Sequence, residues 1–470
     1  MTIKNIFDEI ANESSTNEKM AILSKYKDNE LLKRVLYLAN SKRIKFYIKQ
    51  IPEYTKYDGN PTTTLARSLE LLLQITDRSL VGNNLRADLS LLLSLSEPDD
   101  AYIIERIIDK DCKIGMGTSN MNKVFPKLIE DTPYMGAKSF SEELARKIFT
   151  KKSKYGHYSQ LKMDGRYCNA IVRSGDVELE SRQGEPTTIA GALFLTELTQ
   201  FDDCVLNGEL TIKGITRYES NGIIASLVSI GKKKVDGQDV TKEIAAFEEK
   251  HGDYQAALDS IRFTVWDMIT IDEYFAAKSS RTYTERWGKL WDTLNIDSSI
   301  ACTMIETVET KMVHTYEEAI QHFQDMLAKG EEGTILKSGD GAWKDGKPNW
   351  QVKMKLEMDV DLKIVGFNLG TKGTKNENVI SSVTAESSDG LVRTRPQGMD
   401  EKLMQYVTDN QDKLLGTILE VKCSGLSSDS SGNYSLLHPV FKKLRDDKDT
   451  CDSLESIKEI ENMAKGLVTV

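Results

Sequence analysis

The chain is poor in cysteine, and its six cysteines stand apart in sequence. Cys112, Cys168, Cys204, Cys302, Cys423 and Cys451 make no CxxC knuckle, so nothing here points to a cysteine zinc module. Scattered cysteines in a large chain read as reduced thiols, and a chain of 470 residues needs no disulfides. No apolar run approaches the roughly 20 residues that cross a bilayer. The start, "MTIKNIFDEIANESS", lacks the apolar core of a secretion signal. These absences lead to the expectation of a protein without membrane contact, in the cytoplasm of its cell or, if viral, of its host. Internal repeats and low-complexity stretches are also missing. So is an excess of positive charge. A net charge of −10 argues against a protein that coats nucleic acid. It leaves local recognition open, because phosphate contacts need a basic patch and not a basic chain.

Hydrophobic content of 39% and charged content of 29% fit a globular protein. At this length about two to four domains are expected. Basic clusters occur at Lys151, Lys152 and Lys154, at Lys232, Lys233 and Lys234, at Lys353 and Lys355, and at Lys442, Lys443 and Arg445. Each suits a solvated face as well as a phosphate contact.

Residues 1–132 read as helices. Ile3, Ile6, Phe7 and Ile10 recur at helical spacing, as do the apolar residues of "NELLKRVLYLAN" and "TTTLARSLELLLQITD", with Asn29 and Thr62 as caps. "EDTPYMGAKSF" reads as a linker. Residues 133–358 alternate short strands with helices such as "VTKEIAAFEEK" and "TYEEAIQHFQDMLAKG", the pattern of an α+β domain. Residues 359–455 are dominated by short strands, with a hairpin at Asp389-Gly390, and suit a small β-barrel of the oligonucleotide-binding type (OB-fold). Residues 456–470 form a tail that continues a short helix. The fold class is therefore multidomain: an all-α N-terminal domain, an α+β domain and a C-terminal β-barrel.

One stretch, "QLKMDGRYCNA", raises the question of chemistry. Asp164-Gly165 between alternating runs is a hairpin signal, since a type I′ turn needs φ > 0 at both central residues. Lys-x-Asp-Gly arises by chance in roughly one chain in ten of this length, so alone it is weak. Further motifs follow it in order: Arg182 in "SRQG", Glu209 in "LNGEL", Trp266 and Asp267 in "FTVWD", Glu332 and Lys337 in "EEGTILK", Lys353 and Lys355 in "WQVKMK", Arg445 and Lys448 in "HPVFKKLRDDK". Singly, each acid suits a strand edge, the tryptophan suits a core, and the alternating lysines suit a wet strand face. Together, a nucleophile candidate, two acids, an aromatic and paired lysines fit nucleotidyl transfer.

The order and spacing resemble the covalent nucleotidyltransferase superfamily, and over nearly the whole chain the ATP-dependent DNA ligases of T-even-type bacteriophages. The resemblance extends to "NKVFPKLIEDTPYMGAKSF", "DVDLKIVGF" and "KKLRDDK". It implies a helical DNA-binding domain, an adenylation domain and an oligonucleotide-binding barrel. It implies ATP as co-substrate, Mg²⁺, nicked double-stranded DNA as partner, action as a monomer, and work in DNA replication, repair and recombination.

On this reading Lys162 Nζ attacks the α-phosphate of ATP and holds AMP as a phosphoramidate. A free lysine is neutral only about one time in a thousand near neutral pH, and nearby cations destabilise its charged form. Lys353 and Lys355 suit that role and also phosphate neutralisation; the resemblance adds Lys337 to the phosphate group. Glu209 and Glu332 offer hard oxygen ligands for Mg²⁺, with Glu209 implied by resemblance as an alternative ribose contact. Trp266 would stack on adenine, and Gln160 would read the base edge. Arg182 would meet the 5′-phosphate at the nick. Arg217 is a candidate DNA contact. Arg445 and Lys448 resemble the element that closes over ATP and orients pyrophosphate.

The family pattern is Lys-x-Asp-Gly-x-Arg. Here Tyr167 occupies the arginine's place and Arg166 precedes it. A two-residue hairpin would pair Lys162 with Tyr167 and turn Tyr167 to the nucleotide; a bulge would present Arg166 instead. Two other functions remain in view. One is an RNA ligase or capping-type nucleotidyltransferase of the same superfamily. The other is a non-catalytic nucleic-acid-binding protein, which leaves Lys162, Glu332, Lys353 and Lys355 unexplained together.

Overall fold

The computed structural model describes residues 2–44, 46, 51–56, 62–75, 82–150, 153, 156–215, 217–297, 299–429 and 432–465. The chain divides into two compact units: Met1–Pro133 with Arg182–Glu185, and Tyr134–Ser181 with Pro186–Val470.

The first unit is helical. Helices run over Ile3–Ala11, Thr16–Lys25, Glu30–Asn40, Leu65–Ile75, Gly82–Ser94, Pro98–Ile108 and Thr118–Val124. Their apolar stripes meet in one core that includes Ile6, Ile10, Leu36, Leu69, Leu89 and Ile104. Asn29 caps its helix as expected, accepting from the Leu32 N–H at 3.0 Å. Thr62 does not. Its N–H donates to the Leu95 carbonyl at 3.2 Å, and the helix opens only at Leu65, with Thr64 Oγ1 accepting from Arg67 N at 3.4 Å.

The second unit begins with β1 (Lys138–Ser139), β2 (His157–Leu161), β3 (Arg166–Arg173), β4 (Asp176–Glu180) and β5 (Cys204–Ile212). Then come β6 (Ile261–Thr270), β7 (Ile305–Thr307), β8 (Thr310–Val313), β9 (Gly333–Ser338) and β10 (Gln351–Lys355). They build two sheets, in the orders β1-β10-β9-β2-β8 and β4-β3-β5-β6-β7. The stretch read as a linker thus already supplies an edge strand, β1, parallel to β10. The 19-residue helix Arg217–Val235 had no counterpart in the sequence reading.

The period of two along each strand sorts side chains to opposite faces. In the first sheet Leu336, Val352 and Met354 join Ala145 and Ile148 of the helix Glu142–Thr150 in a buried cluster. Lys337, Lys353 and Lys355 are thereby turned to the other face. In the second sheet Cys168, Ala170, Leu206, Leu210, Phe263 and Val265 join a larger core with Ile224 and Leu227 of the long helix and Leu290 of the helix Tyr283–Asn295.

The remaining strands are β11 (Met358–Leu369), β12 (Ile380–Glu386), β13 (Arg393–Thr394), β14 (Ile418–Cys423), β15 (Leu426–Ser428), β16 (Tyr434–Leu436) and β17 (Val440–Leu444). They form an antiparallel sheet in the order β13-β12-β11-β14-β17 and a separate β15-β16 ribbon. The segment after β13 reaches the far edge: Gln397 accepts from Phe441 N at 2.7 Å and donates to Pro439 O at 2.9 Å. Asp389-Gly390 turns between β12 and β13, with Gly390 at φ +69° donating to Ser387 O at 3.0 Å.

Leu206 is fully buried at the centre of the second sheet. Leu206→Ala should cost about 2–5 kcal/mol, through lost burial and the cavity left behind. Urea unfolding followed by tryptophan fluorescence should show a lower midpoint; an unchanged midpoint would contradict this assignment of the core.

Candidate active site

β2 and β3 do not pair with each other. β2 pairs with β8 and β9, whereas β3 pairs with β4 and β5. Residues 162–165 are therefore the crossing from one sheet to the other, and the expected Asp164-Gly165 hairpin is not formed. Gly165 is not in the left-handed region either. Its glycine answers a different need. A Cβ there would lie 2.5 Å from the Leu210 carbonyl and 2.8 Å from Thr211 Cγ2, so only glycine lets the crossing lie against β5.

The crossing is tied at both ends. Lys162 N donates to Gly333 O at 2.9 Å, and Gly165 N donates to Glu209 Oε2 at 2.6 Å. The Lys162 ammonium donates to Glu332 Oε2 in a short ion pair with both groups largely shielded from water. Nucleophile candidate and both acid candidates are thus brought together, although 170 residues separate Lys162 from Glu332. Burial drives the Glu209 carboxyl up to about 8, against partial relief from the Gly165 N–H and from Lys162.

Register assembles the cations. Lys337 pairs across with Tyr158 and with Gln351, and Lys353 and Lys355 alternate on β10. Cross-strand partners share a face, so Tyr158, Gln160, Lys337, Lys353 and Lys355 line one surface. Lys337 is buried, donates to the Tyr283 hydroxyl at 3.3 Å and lies 4.5 Å from that ring's centroid. Burial pushes its ammonium down to about 7. Lys353 is also lowered, by burial first and then by Lys355, Lys347 and Lys162. Gln160 is buried, donates from Nε2 to Thr310 Oγ1 at 3.0 Å, and leaves Oε1 without a partner among the described residues.

The facing sheet carries the aromatics. Tyr167 pairs with Glu209, and Arg166 pairs with the core residue Leu210. Tyr167 therefore shares the Glu209 face, by way of β5 and not by the expected pairing with Lys162. Its ring centroid lies 5.2 Å from Tyr134, edge-on, and 6.1 Å from Trp266. Its hydroxyl donates to Asn169 Oδ1 at 2.8 Å. Arg166 keeps a buried Nε without a partner among the described residues.

Other candidates lie elsewhere. Arg182 is an exposed residue of the segment grouped with the helical unit. Arg217 opens a helix, but its side chain falls outside the described residues, as do Lys151, Lys152 and Lys154. Arg445 is held on its own sheet by Asp361 at 3.2 Å, Glu420 at 3.0 Å and Asp447 at 2.8 Å, and Lys448 pairs with the same Asp361.

The sequence reading missed Tyr283, Arg286 and Thr310. Arg286 and Asp267 form a fully buried pair, with contacts of 2.8 and 3.1 Å. Tyr283 donates to the Trp266 carbonyl at 2.8 Å while accepting from Lys337. No spacing marks these residues, because the contacts join a helix to strands distant in sequence. Asn169 could have been flagged as a lone polar residue inside the apolar run "CNAIV".

Comparison with known proteins fits this geometry. A family model described as "ATP dependent DNA ligase domain" matches residues 134–355. The chain is 30% identical over 489 aligned positions to the DNA ligases of Enterobacteria phage T6 and Enterobacteria phage T4, covering 97% of this chain and 98% of each relative. A solved structure named "Pmar-Lig_PreS3" matches with a TM-score of 0.54 at 18% identity, over 95% of this chain and 99% of that one; this likeness speaks to fold alone. The chain belongs to the ATP-dependent DNA ligases. Among the described residues no helix is long and apolar enough to cross a membrane.

The raised Glu209 carboxyl has a consequence for stability. Its pKa is about 8 when folded, against 4.5 for the free group, so the folded chain binds the extra proton between those values. Stability from this group is therefore lost as pH rises through that window. Lys337, lowered from 10.5 to about 7, acts oppositely above neutrality. Glu209→Gln should remove only the first effect. Its urea midpoint relative to the parent should rise between pH 5 and pH 9, and parallel profiles would contradict the burial of an ionisable Glu209.

Proposed function

We propose that this ATP-dependent DNA ligase joins the 3′-hydroxyl and 5′-phosphate ends of nicked duplex DNA through a lysyl-AMP on Lys162. The observation that carries the reading is the meeting of Lys162 with Glu332, Glu209 and the lysine row where two sheets face each other. Nζ, once deprotonated, forms a bond to the α-phosphorus as the bond to the bridging oxygen breaks. Pyrophosphate leaves with the electron pair, and the Nζ protons pass to Glu332, the acceptor it already faces, and to water. A DNA 5′-phosphate oxygen then bonds to that phosphorus as the P–N bond breaks, and Lys162 Nζ leaves as an amine by taking up a proton from water. Attack by the 3′-hydroxyl, whose proton goes to water, closes the strand and expels AMP.

Lys337, Lys353 and Lys355 would neutralise the phosphates at each transfer. Tyr167 and Trp266 would wall the nucleoside, with Glu209 near the ribose and Gln160 at the base edge. Tyr167 on the Glu209 face supports that choice over Arg166, which stays the second candidate. Glu332 would hold Mg²⁺, with Glu209 as a second ligand in the alternative where it does not take the ribose. Among the described residues no cluster of three or more His, Cys, Asp or Glu could hold a metal, so phosphate oxygens and water would complete the six positions that Mg²⁺ demands. Bound there, the ion would offset charge on the phosphates and the leaving pyrophosphate.

The domain reading divides the chain at 132, 358 and 455. The helical region would bind duplex backbone, with Arg182 at the 5′-phosphate and Arg217 on DNA. A cavity of about 1420 Å³ adjoins the crossing, with Arg262, Arg393, Arg395 and Lys213 interspersed with Asp164, Glu219, Glu306, Glu331 and Asp429. The C-terminal sheet would be an OB-fold barrel, and the Gln397 bridge to the far edge supports closure. A single copy acting in the cytoplasm is part of this proposal.

Lys162→Ala should abolish the covalent protein–AMP band formed with radiolabelled ATP while far-UV circular dichroism stays unchanged. A persisting band would remove Lys162 from the chemistry.

Arg445 and Lys448 would orient pyrophosphate after releasing Asp361 and Glu420. Arg445→Ala should then slow self-adenylation at least about tenfold, the loss of one charge-assisted contact, more than it slows sealing of pre-adenylated nicks. Equal losses in both assays would contradict that division.

A further inference from the structure

Gln160 is the most constrained of the candidate nucleotide contacts, and the constraint has a direction. It is 1% exposed and sits on the face shared with Lys337. Its hydrogen-bond partner is a hydroxyl whose single hydrogen is already committed. Thr310 Oγ1 donates to the Val308 carbonyl at 2.8 Å, which can only accept. The hydroxyl oxygen can therefore only accept from a further partner.

The amide must answer with its nitrogen. Gln160 Nε2 donates to Thr310 Oγ1 at 3.0 Å. The opposite amide rotamer would set Oε1 against an oxygen with no hydrogen to offer. Among the described residues Oε1 is left as a buried acceptor without a partner. A buried orphan acceptor is costly unless a ligand satisfies it.

We propose that Thr310 fixes the sense of the Gln160 amide, so that the site shows the base a carbonyl acceptor and selects a purine with an exocyclic amino group over one with a carbonyl. The proposal rests on the reading of Gln160 as the residue at the base edge. Thr310 touches no substrate; it is a positioning residue that sets base specificity. A carbonyl at that edge would meet Oε1 lone pair to lone pair. A site built to hydrogen-bond a group rejects an analogue lacking it by several orders of magnitude, far more than an apolar pocket can. Without the Thr310 hydroxyl the amide is free to rotate and present either group.

The test compares ATP with inosine triphosphate, which carries a carbonyl where adenine carries its amino group. Formation of the covalent nucleotidyl adduct is followed with each, giving kcat/KM for the full-length chain. The parent should prefer ATP by on the order of 100-fold or more. Thr310→Val, which keeps strand shape and removes the hydroxyl, should shrink that ratio at least about tenfold, mainly through a higher KM for ATP. Thr310→Ser, which restores the hydroxyl, should keep the ratio within about threefold. The ratio does not depend on the fraction of folded protein, so partial unfolding of the valine variant cannot mimic the result. In a Gln160→Glu background, both carboxylate oxygens accept, and adding Thr310→Val should leave the ratio unmoved. An unchanged ratio in Thr310→Val on the parent background would overturn this inference alone. Absence of any adduct with ATP in the parent chain would overturn the lysyl-AMP reading, and this inference with it.

Discussion

The crossing at residues 162–165 is the constraint around which the second unit is arranged. One strand ends at Leu161 in one sheet, and the next begins at Arg166 in another. The short connection leaves Lys162 facing Glu332 and brings Gly165 against the backbone of β5, where any side chain would collide with the Leu210 carbonyl. Sheet separation, the glycine and the position of the lysine are thus one feature. Lengthening the connection or adding a Cβ would move the lysine relative to both acids.

Around that crossing the structure buries charge, which is costly unless each charge is answered. Asp267 and Arg286 answer each other with two hydrogen bonds and no exposure. Lys162 has Glu332. Lys337 has only a phenol and the field of Asp267, and burial lowers its affinity for a proton accordingly. Glu209 has a backbone N–H and a more distant lysine, and burial raises its affinity. Groups held away from their ordinary ionisation cluster where a charged ligand would complete the balance. A triphosphate is complementary to the lysines among them.

Much of this architecture was legible in the chain. Helical spacing marked Ile3–Ala11 and Glu30–Asn40, and alternation put Lys353 and Lys355 on one strand face. Such patterns are legible because they reflect a local period, set by backbone geometry within a few residues. Errors came where local signals met a tertiary demand. Asp-Gly looked like a turn, yet Gly165 serves a close approach from β5. Thr62 looked like a cap, yet its N–H is drawn to Leu95. Tyr167 lies on the face of Glu209 through its pairing with that residue in β5, and not through the expected hairpin.

By itself the sequence determined the order of elements, the face on which each lysine lies, and the short motifs that mark a nucleotidyl-transfer ligase. Those follow from residue type and spacing along a single strand or helix. Only the tertiary structure decided which strands are neighbours, and with them the Lys162–Glu332 pair, the buried Asp267–Arg286 pair and the hydrogen-bond sense of Gln160. The physical reason is that each of these depends on the positions of atoms brought together by register and packing across more than a dozen residues. A hydroxyl's one hydrogen or an amide's orientation is committed only when its neighbours arrive.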